Sequence, residues 1–142
     1  MQKLLLTGGC GLVGQALTKE LIRENFEVII LSRNPKNNSN KVTYFKWDPK
    51  KDIMDESALK EVDHIVHLAG AGIMDKRWTN SYKQKLIDSR LQSTKFLLES
   101  LRKFPHRVKT LIGASAVGYY GENKNDDTPF TEADPPADEF LG

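Results

Sequence analysis

Apolar residues in this chain fall into short unbroken runs and longer interrupted ones, and the two kinds predict different elements. Leu4-Leu5-Leu6 and Glu27 to Leu31 are brief and mostly apolar without alternation, the pattern of parallel strands covered on both faces. Val42 to Trp47, Val62 to Leu68 and Val108 to Ala114 complete a set of five expected strands. Between them, about Leu12 to Glu24 has helical spacing, with Val13, Ala16, Leu17 and Leu21 on one face and Asn25 as the stop. A longer helix is expected from Thr79 to Lys103, where Tyr82, Leu86, Ile87, Leu91, Thr94, Leu98 and Leu101 recur at three and four residues. Arg102 and Lys103 suit its last turn, and Pro105 closes it. Asp55 to Glu61 reads as a short helix.

The order β-α-β-β-(α)-β-α-β predicts an α/β chain with a doubly wound parallel sheet. The second connection, through Pro35 and a run of Asn and Ser, is shorter than the dozen or so residues of a usual parallel crossover. Either its helix is reduced to a loop or the third strand runs the other way; the first is favoured. From Glu122 to Gly142 the chain is polar, acidic and Pro-rich, with no strand or helix expected. The folded unit is therefore placed at 1–121, followed by a loop at 122–142.

Composition narrows the class. With 142 residues, 39% hydrophobic and 28% charged, the chain suits one soluble globular domain. A net charge of +2 gives no reason to expect nucleic acid or a membrane surface as partner. No apolar run approaches the roughly 18 residues that span a bilayer. The first apolar stretch runs straight into glycines rather than a cleavage site, so a cytoplasmic location is the default expectation. The single cysteine, Cys10, has no internal disulfide partner and is expected to be tucked into a crowded turn. His64 and His67, three apart on a strand, point to opposite faces, and no metal site is expected from them.

The chemistry gathers at strand ends. Thr7-Gly8-Gly9-Cys10-Gly11-Leu12-Val13-Gly14 follows the first strand and opens the first helix, the context a dinucleotide-binding fingerprint requires. Its glycines serve a tight turn, close approach to a pyrophosphate, and helix–strand packing. The helix start adds free N–H groups. Ser32-Arg33 ends the second strand, where a carboxylate would hold the ribose 2′-hydroxyl of NAD and an Arg the 2′-phosphate of NADP. No carboxylate is present and Lys36 adds a cation, so NADP is favoured over NAD. Leu68-Ala69-Gly70, continued by Ala71-Gly72, ends the fourth strand with small residues that let a flat ligand near the backbone. The candidate cofactor-binding residues are Gly8, Gly11, Leu12, Val13, Gly14, Ser32, Arg33, Leu68, Ala69 and Gly70.

On these motifs the chain resembles the N-terminal half of an extended short-chain dehydrogenase/reductase of the NAD-dependent epimerase/dehydratase type. Thr7-Gly8-x-x-Gly11-x-x-Gly14 matches that family's glycine pattern, and His67-Leu68-Ala69-Gly70 its motif after strand four. Ser115 to Gly121 resembles its serine-bearing segment, and Phe130-Thr131-Glu132 with Pro135-Pro136 the loop that follows. Lys76-Arg77-Trp78-Thr79, Ser89-Arg90 with Thr94, and Gly113 to Gly121 are similar to a narrower epimerase-like subgroup. Its members are named nucleotide-sugar epimerases or reductases, and some are catalogued as cell-division inhibitors.

The resemblance implies a Rossmann-like sheet of strand order 3-2-1-4-5, with an NAD(P)-binding domain over 1–121. It also implies that this is a truncated piece, ending before the substrate-binding part. The whole protein would be an NADP-dependent epimerase or reductase-like oxidoreductase acting on a small-molecule substrate. Ser115 would be its catalytic hydrogen-bonding group, although counting back from Tyr120-Gly121 places the family's serine at Ala116. Asp48 resembles the family's adenine-contacting Asp, with Pro49 in place of the usual apolar residue.

Two features depart from the pattern. The family's Tyr-x-x-x-Lys pair, due at or just beyond Phe140-Leu141-Gly142, is not found at that place, and Arg90 stands where an Asn is common. Tyr119 has no lysine four residues on, and both Tyr119 and Tyr120 are expected to be buried aromatics packing the turn. The missing pair leaves a second reading open, a non-catalytic NADP-binding regulatory module, and implies that this piece is inactive alone.

Overall fold

The computed structural model describes residues 1–122 and 128–140. Its elements are β1 (Lys3–Thr7), α1 (Leu12–Arg23), β2 (Glu27–Ser32), β3 (Val42–Asp48), β4 (Ile53–Met54), β5 (His64–His67), α2 (Asn80–Lys103) and β6 (Thr110–Gly113), with 3-10 turns at Glu56–Leu59 and Val117–Tyr120. The sheet order is β4-β3-β2-β1-β5-β6. All neighbours are parallel except β3 and β4. The five expected strands thus stand in the expected order, and β4, which the hydrophobic pattern did not announce, adds a short antiparallel pair at one edge.

The β2–β3 crossover is a loop, and the strands it joins are parallel, with Val28 opposite Val42. Polar side chains hold it in place. Asn38 Oδ1 accepts from the Tyr44 N–H at 2.8 Å, and Lys41 Nζ donates to Asn25 Oδ1 at 3.1 Å.

Side chains on a strand alternate between the two faces of the sheet, and here each face has its own helix. Leu4, Leu6, Val28, Ile30 and Val66 pack with Leu17, Leu21 and Ile22 of α1. Leu5, Ile29, Leu31 and Ile65 pack with Leu97 and Phe96 of α2 and with Leu59 and Val62. This is a doubly wound, Rossmann-like sheet.

Helix α1 ends as its sequence suggests. Asn25 takes the left-handed conformation at φ 64. The Phe26 N–H donates to Leu21 O, and that of Asn25 to Ile22 O, the bond pattern of a Schellman stop.

Both helices bury a face that is only partly the expected one: Leu17 and Leu21 of α1 and Tyr82, Leu86 and Leu101 of α2 face the core as expected, and others do not. In α1, Val13 and Ala16 are exposed while Gly14 is buried, because Gly14 is pressed onto the glycine turn and rotates the contact stripe to Gly14, Leu17, Leu21 and Ile22. In α2, Tyr82, Leu86, Ser93, Leu97 and Ser100 are buried, whereas Ile87, Leu91 and Leu98 are exposed. Serine makes this possible: Ser93 Oγ donates to Arg90 O at 3.1 Å and Ser100 Oγ to Phe96 O at 2.8 Å. Hydroxyls satisfied within the helix can face the sheet without an unpaired donor.

At the opposite end of the sheet from the glycine turn, buried Asp63 ties three segments together. Its carboxylate accepts from the Lys3 backbone N–H at 3.0 Å and from Arg107 at 3.1 Å, and lies 3.4 Å from Lys109 Nζ. The Lys3 N–H, then the two cations, hold its pKa below the ordinary carboxylate value.

Beyond β6, Tyr120 stacks on Phe130 with ring centroids 5.1 Å apart, while Tyr119 is exposed rather than buried. The Ala137 N–H donates to Tyr119 O at 2.8 Å. Residues 128–140 form no helix or strand. Leu141 and Gly142, where part of the Tyr-x-x-x-Lys position was sought, lie outside the described residues, as does 123–127 of the expected loop.

Candidate functional site

Between β1 and α1 the chain turns within a few residues, and each glycine has a distinct reason to lack a side chain. Gly8 has φ +71, and a Cβ there would meet the Leu68 carbonyl at 2.8 Å. Gly14 could not carry one either, since its Cβ would lie 2.5 Å from Gly8 O and 2.6 Å from Gly9 Cα. Gly9 abuts the Ile30 side chain, with a Cβ-to-Cγ2 distance of 2.9 Å. At Gly11 the nearest atom to a Cβ would be Gly8 O at 3.3 Å. Gly11 is the N-cap of α1 and makes no side-chain cap, so the first N–H groups of the helix stay available to an acceptor.

The turn is fastened to the end of β5 by Thr7, which is fully buried. Thr7 Oγ1 accepts from the N–H groups of Leu68 at 3.1 Å and Ala69 at 3.2 Å, and lies 2.7 Å from His67 Nδ1. The other ring nitrogen, Nε2, is 3.1 Å from Thr94 Oγ1 and 3.3 Å from Ser93 Oγ on α2. Burial pushes the His67 pKa below its ordinary value.

Helix α2 also fixes the loop after β5. Tyr82 Oη donates to Gly72 O at 2.6 Å, and Ser89 Oγ accepts from the Ala71 N–H at 2.9 Å. Arg90 Nη1 reaches Leu86 O at 3.0 Å and Ala71 O at 3.3 Å, and its guanidinium lies against Gly70. Just before α2, Trp78 Nε1 donates to Ile73 O at 2.8 Å.

At the carboxyl ends of β1, β2, β3 and β5 these segments enclose a cavity of about 520 Å³. Of the residues read from the sequence, it brings together Gly8, Gly11, Ser32, Arg33, Asp48, Leu68, Ala69 and Gly70. Lys46 Nζ donates to the Arg33 carbonyl, holding the backbone while the guanidinium is exposed. The Ser32 hydroxyl is turned to Asn34, with both of its contacts at 3.1 Å. Asp48 is buried and accepts from the Lys50 N–H at 3.2 Å.

Three predicted cofactor-binding residues stand outside the cavity lining: Gly14 packs beneath the turn, and Leu12 and Val13 are exposed. Ser115 is exposed beyond β6 and does not line the cavity. Cys10 is exposed at the cavity rim rather than tucked away.

Sequence reasoning missed Lys50, Lys85, Ser89 and Gln92, which also line the cavity. Those on α2 belong to a helix face that apolar periodicity does not report. It missed Thr7 as well, whose signal was a lone hydroxyl closing an apolar strand. Trp47, also lining the cavity, has a buried Nε1–H without an acceptor among the described residues. No helix among those residues is long and apolar enough to cross a membrane.

Comparison with known proteins places these features in a family. A model of the NAD dependent epimerase/dehydratase family matches residues 4–139. An epimerase family protein of Staphylococcus saprophyticus is 38% identical over 121 residues, covering 84% of this chain and 39% of that protein. One from Staphylococcus haemolyticus is 40% identical over the same shares. Among solved structures, a human epimerase family protein crystallised with NADPH aligns with a TM-score of 0.81 at 28% identity, covering 99% of this chain and 45% of the other. A nucleoside-diphosphate sugar epimerase from Corynebacterium glutamicum gives 0.73 at 36%, covering 99% of this chain and 28% of that one. This chain spans 39% of the length of those staphylococcal relatives.

Proposed function

The chain belongs to the NAD dependent epimerase/dehydratase family, and from that premise we propose that it is the cofactor-binding part of an NADP-dependent oxidoreductase of the nucleotide-sugar epimerase or reductase kind. The observation that carries the proposal is the single cavity joining Gly8, Gly11, Arg33, Asp48 and Leu68 to Gly70. Four segments distant in sequence meet there, each with the chemistry one part of a dinucleotide needs.

The residues fit the group. The turn lacks side chains where a pyrophosphate would approach, and the N-terminus of α1 supplies N–H donors and the positive end of its dipole. Arg33 provides a planar cation for a 2′-phosphate, and Lys50 and Lys85 also line the cavity. Asp48 offers an acceptor for an exocyclic amine. The small residues Ala69 and Gly70 leave room for a flat ring. Bound there, a nicotinamide supplies the hydride; the chain's own task is to hold and orient it. The human relative crystallised with NADPH supports NADP over NAD.

A second reading is a regulatory module that binds NADP without turnover. It is favoured by Ser115, the one catalytic candidate, lying outside the cavity lining. The small-molecule substrate and the cytoplasmic location belong to the proposal as well.

Calorimetric titration with NADPH and NADH tests the cofactor. We expect tighter binding of NADPH and a loss of at least about tenfold on Arg33→Asp, equivalent to about 1.4 kcal/mol. Equal affinities for the two nucleotides in the parent, or an unchanged NADPH affinity in Arg33→Asp, refute the assignment. NADPH bound but never oxidised by any carbonyl compound in the longer protein favours the regulatory reading.

A further inference from the structure

We infer that His67 is a positioning residue of the nucleotide site: as a neutral ring protonated on Nε2, it holds the glycine turn against Leu68 and Ala69 through the Thr7 hydroxyl. The inference rests on the cofactor reading above and assigns a task to a side chain that touches no proposed ligand.

The tautomer follows from counting protons. A hydroxyl has one hydrogen and two lone pairs. Thr7 Oγ1 accepts from the N–H groups of Leu68 and Ala69. Both acceptor positions are therefore filled, and the single hydroxyl proton points to His67 Nδ1 at 2.7 Å. Nδ1 must then be the acceptor, which places the ring proton on Nε2, facing Thr94 Oγ1 at 3.1 Å and Ser93 Oγ at 3.3 Å. A proton added at Nδ1 would confront an oxygen whose lone pairs are already engaged. The link between Thr7 and His67 would break, or the Ala69 N–H would lose its acceptor and the Leu68 N–H, shared with the Thr7 carbonyl at 3.1 Å, would keep only that one.

The consequence reaches the cavity because Gly8 has no slack. Its Cα sits so close to the Leu68 carbonyl that a methyl would collide with it at 2.8 Å. The turn that would receive the pyrophosphate and the strip that would lie beside the nicotinamide share this one junction, and Thr7 is its fastener.

Among the described residues, the side chains in hydrogen-bond or ring contact with His67 carry no charge. Thr7 faces it from β1, Trp47 edge-on from β3 at 6.5 Å, and Ser93 and Thr94 from α2. Gly113 pairs with it from β6. None of these side chains titrates, and Arg90, one turn earlier on α2, directs its guanidinium to Leu86 O and Ala71 O. Burial favours the neutral ring in the same direction.

The test compares NADP⁺ affinity in the parent, His67→Asn, His67→Leu and Thr7→Val, with ¹⁵N NMR of the ring in the free chain. Asn keeps an acceptor near the Nδ1 position and cannot be protonated, whereas Leu removes the acceptor. At pH 8 we expect His67→Leu and Thr7→Val to bind at least about tenfold more weakly, and His67→Asn to remain within about threefold of the parent. The ring spectrum should show the Nε2–H tautomer.

Once the pH falls below the ring's own pKa, which burial sets lower than the ordinary histidine value, parent affinity relative to His67→Asn should fall, approaching tenfold per pH unit. The ratio is essential, because the 2′-phosphate of the ligand itself titrates near ~6 and cancels between the two proteins. An Nδ1–H tautomer, or His67→Leu binding as tightly as the parent, overturns the inference and leaves the cofactor reading standing. Absence of nucleotide binding by the parent at pH 8 overturns both.

Discussion

The glycines of the first turn offer a sharp separation between holding the fold and holding a ligand. In Gly14→Ala the new methyl would lie 2.5 Å from Gly8 O, 2.6 Å from Gly9 Cα and 2.8 Å from Gly9 C. All three are backbone atoms of a turn already pressed against Leu68, so they have nowhere to retreat. Alanine gains about 1 kcal/mol of helix propensity over glycine, but overpacking against rigid neighbours costs about 1–3 kcal/mol or more. With the overlap at the severe end, a net loss of about 1–2 kcal/mol is expected. At a urea m-value of about 2 kcal/mol/M, the unfolding midpoint drops by roughly 0.5–1 M.

Gly11→Ala behaves differently, since its φ of −77 suits any residue and its nearest obstacle is Gly8 O at 3.3 Å. The poorer N-cap costs about 1 kcal/mol, and restriction of the unfolded chain returns about 0.4–1 kcal/mol. Its midpoint should stay within roughly 0.3 M of the parent, while NADPH affinity falls by at least about tenfold. Urea titration followed by Trp fluorescence and calorimetry on the same samples reads both quantities. Gly14→Ala as stable as the parent would refute the packing argument, and Gly11→Ala with full affinity would refute the pyrophosphate approach.

The buried face of α2 is tested by a pair of leucines. Leu97→Ala, at a 1% exposed position, should lose about 2–5 kcal/mol, and Leu91→Ala, at 65% exposure, less than about 0.5 kcal/mol; equal losses in urea unfolding would return the helix to its expected rotation. Acid stability should depend on Asp63, whose folded pKa lies below its unfolded value of about 3.8. Its contribution is complete above that value and is lost as pH falls through the folded pKa. Asp63→Asn should therefore be less stable at pH 7 and show a flatter decline below pH 4 by urea midpoint; parallel acid profiles would contradict the role given to the Lys3, Arg107 and Lys109 contacts.

What could be read from the sequence was whatever the backbone dictates. Apolar runs located five strands, two of them without alternation because a doubly covered parallel sheet leaves no polar face to alternate with. The glycine spacing located the turn, because Gly8 at positive φ and Gly14 under the turn admit no side chain. Arg33 could be placed in the cavity because a strand end determines where it emerges, and Asp48 through the family resemblance. Hidden were the features that depend on hydrogen bonds between side chains. Periodicity assigns Ile87, Leu91 and Leu98 to the core of α2, since it scores serine as polar. It has no means of knowing that Ser93 and Ser100 bond to their own helix and so pass for small apolar residues. Cys10 was misplaced for a related reason: crowding around the turn comes from Leu68 and Ile30, on the sides of Gly8 and Gly9, and leaves Cys10 at the open rim.

The polar face of α2 also gives a structural meaning to the departure at Arg90. An asparagine could make one contact of this kind, but the arginine spans from Leu86 O to Ala71 O and lies over Gly70. With Tyr82 on Gly72 and Ser89 on Ala71, it fixes three consecutive residues of the loop after β5 from a single helix. Thr7 does the same for Leu68 and Ala69 from β1. Residues 68–72 are thus held from one side by a strand hydroxyl and from the other by helix side chains, before any ligand arrives. A loop so fixed pays little ordering entropy when a flat ring settles on it, which suits holding a cofactor in one orientation. Among the described residues Ser115 has no comparable clamp: it follows the exposed strand β6, bound to its neighbour through Ala114 N–H to His67 O at 3.2 Å. The preorganised part of this chain is the part that would bind the nucleotide, and the candidate catalytic group is where the described fold exerts least control.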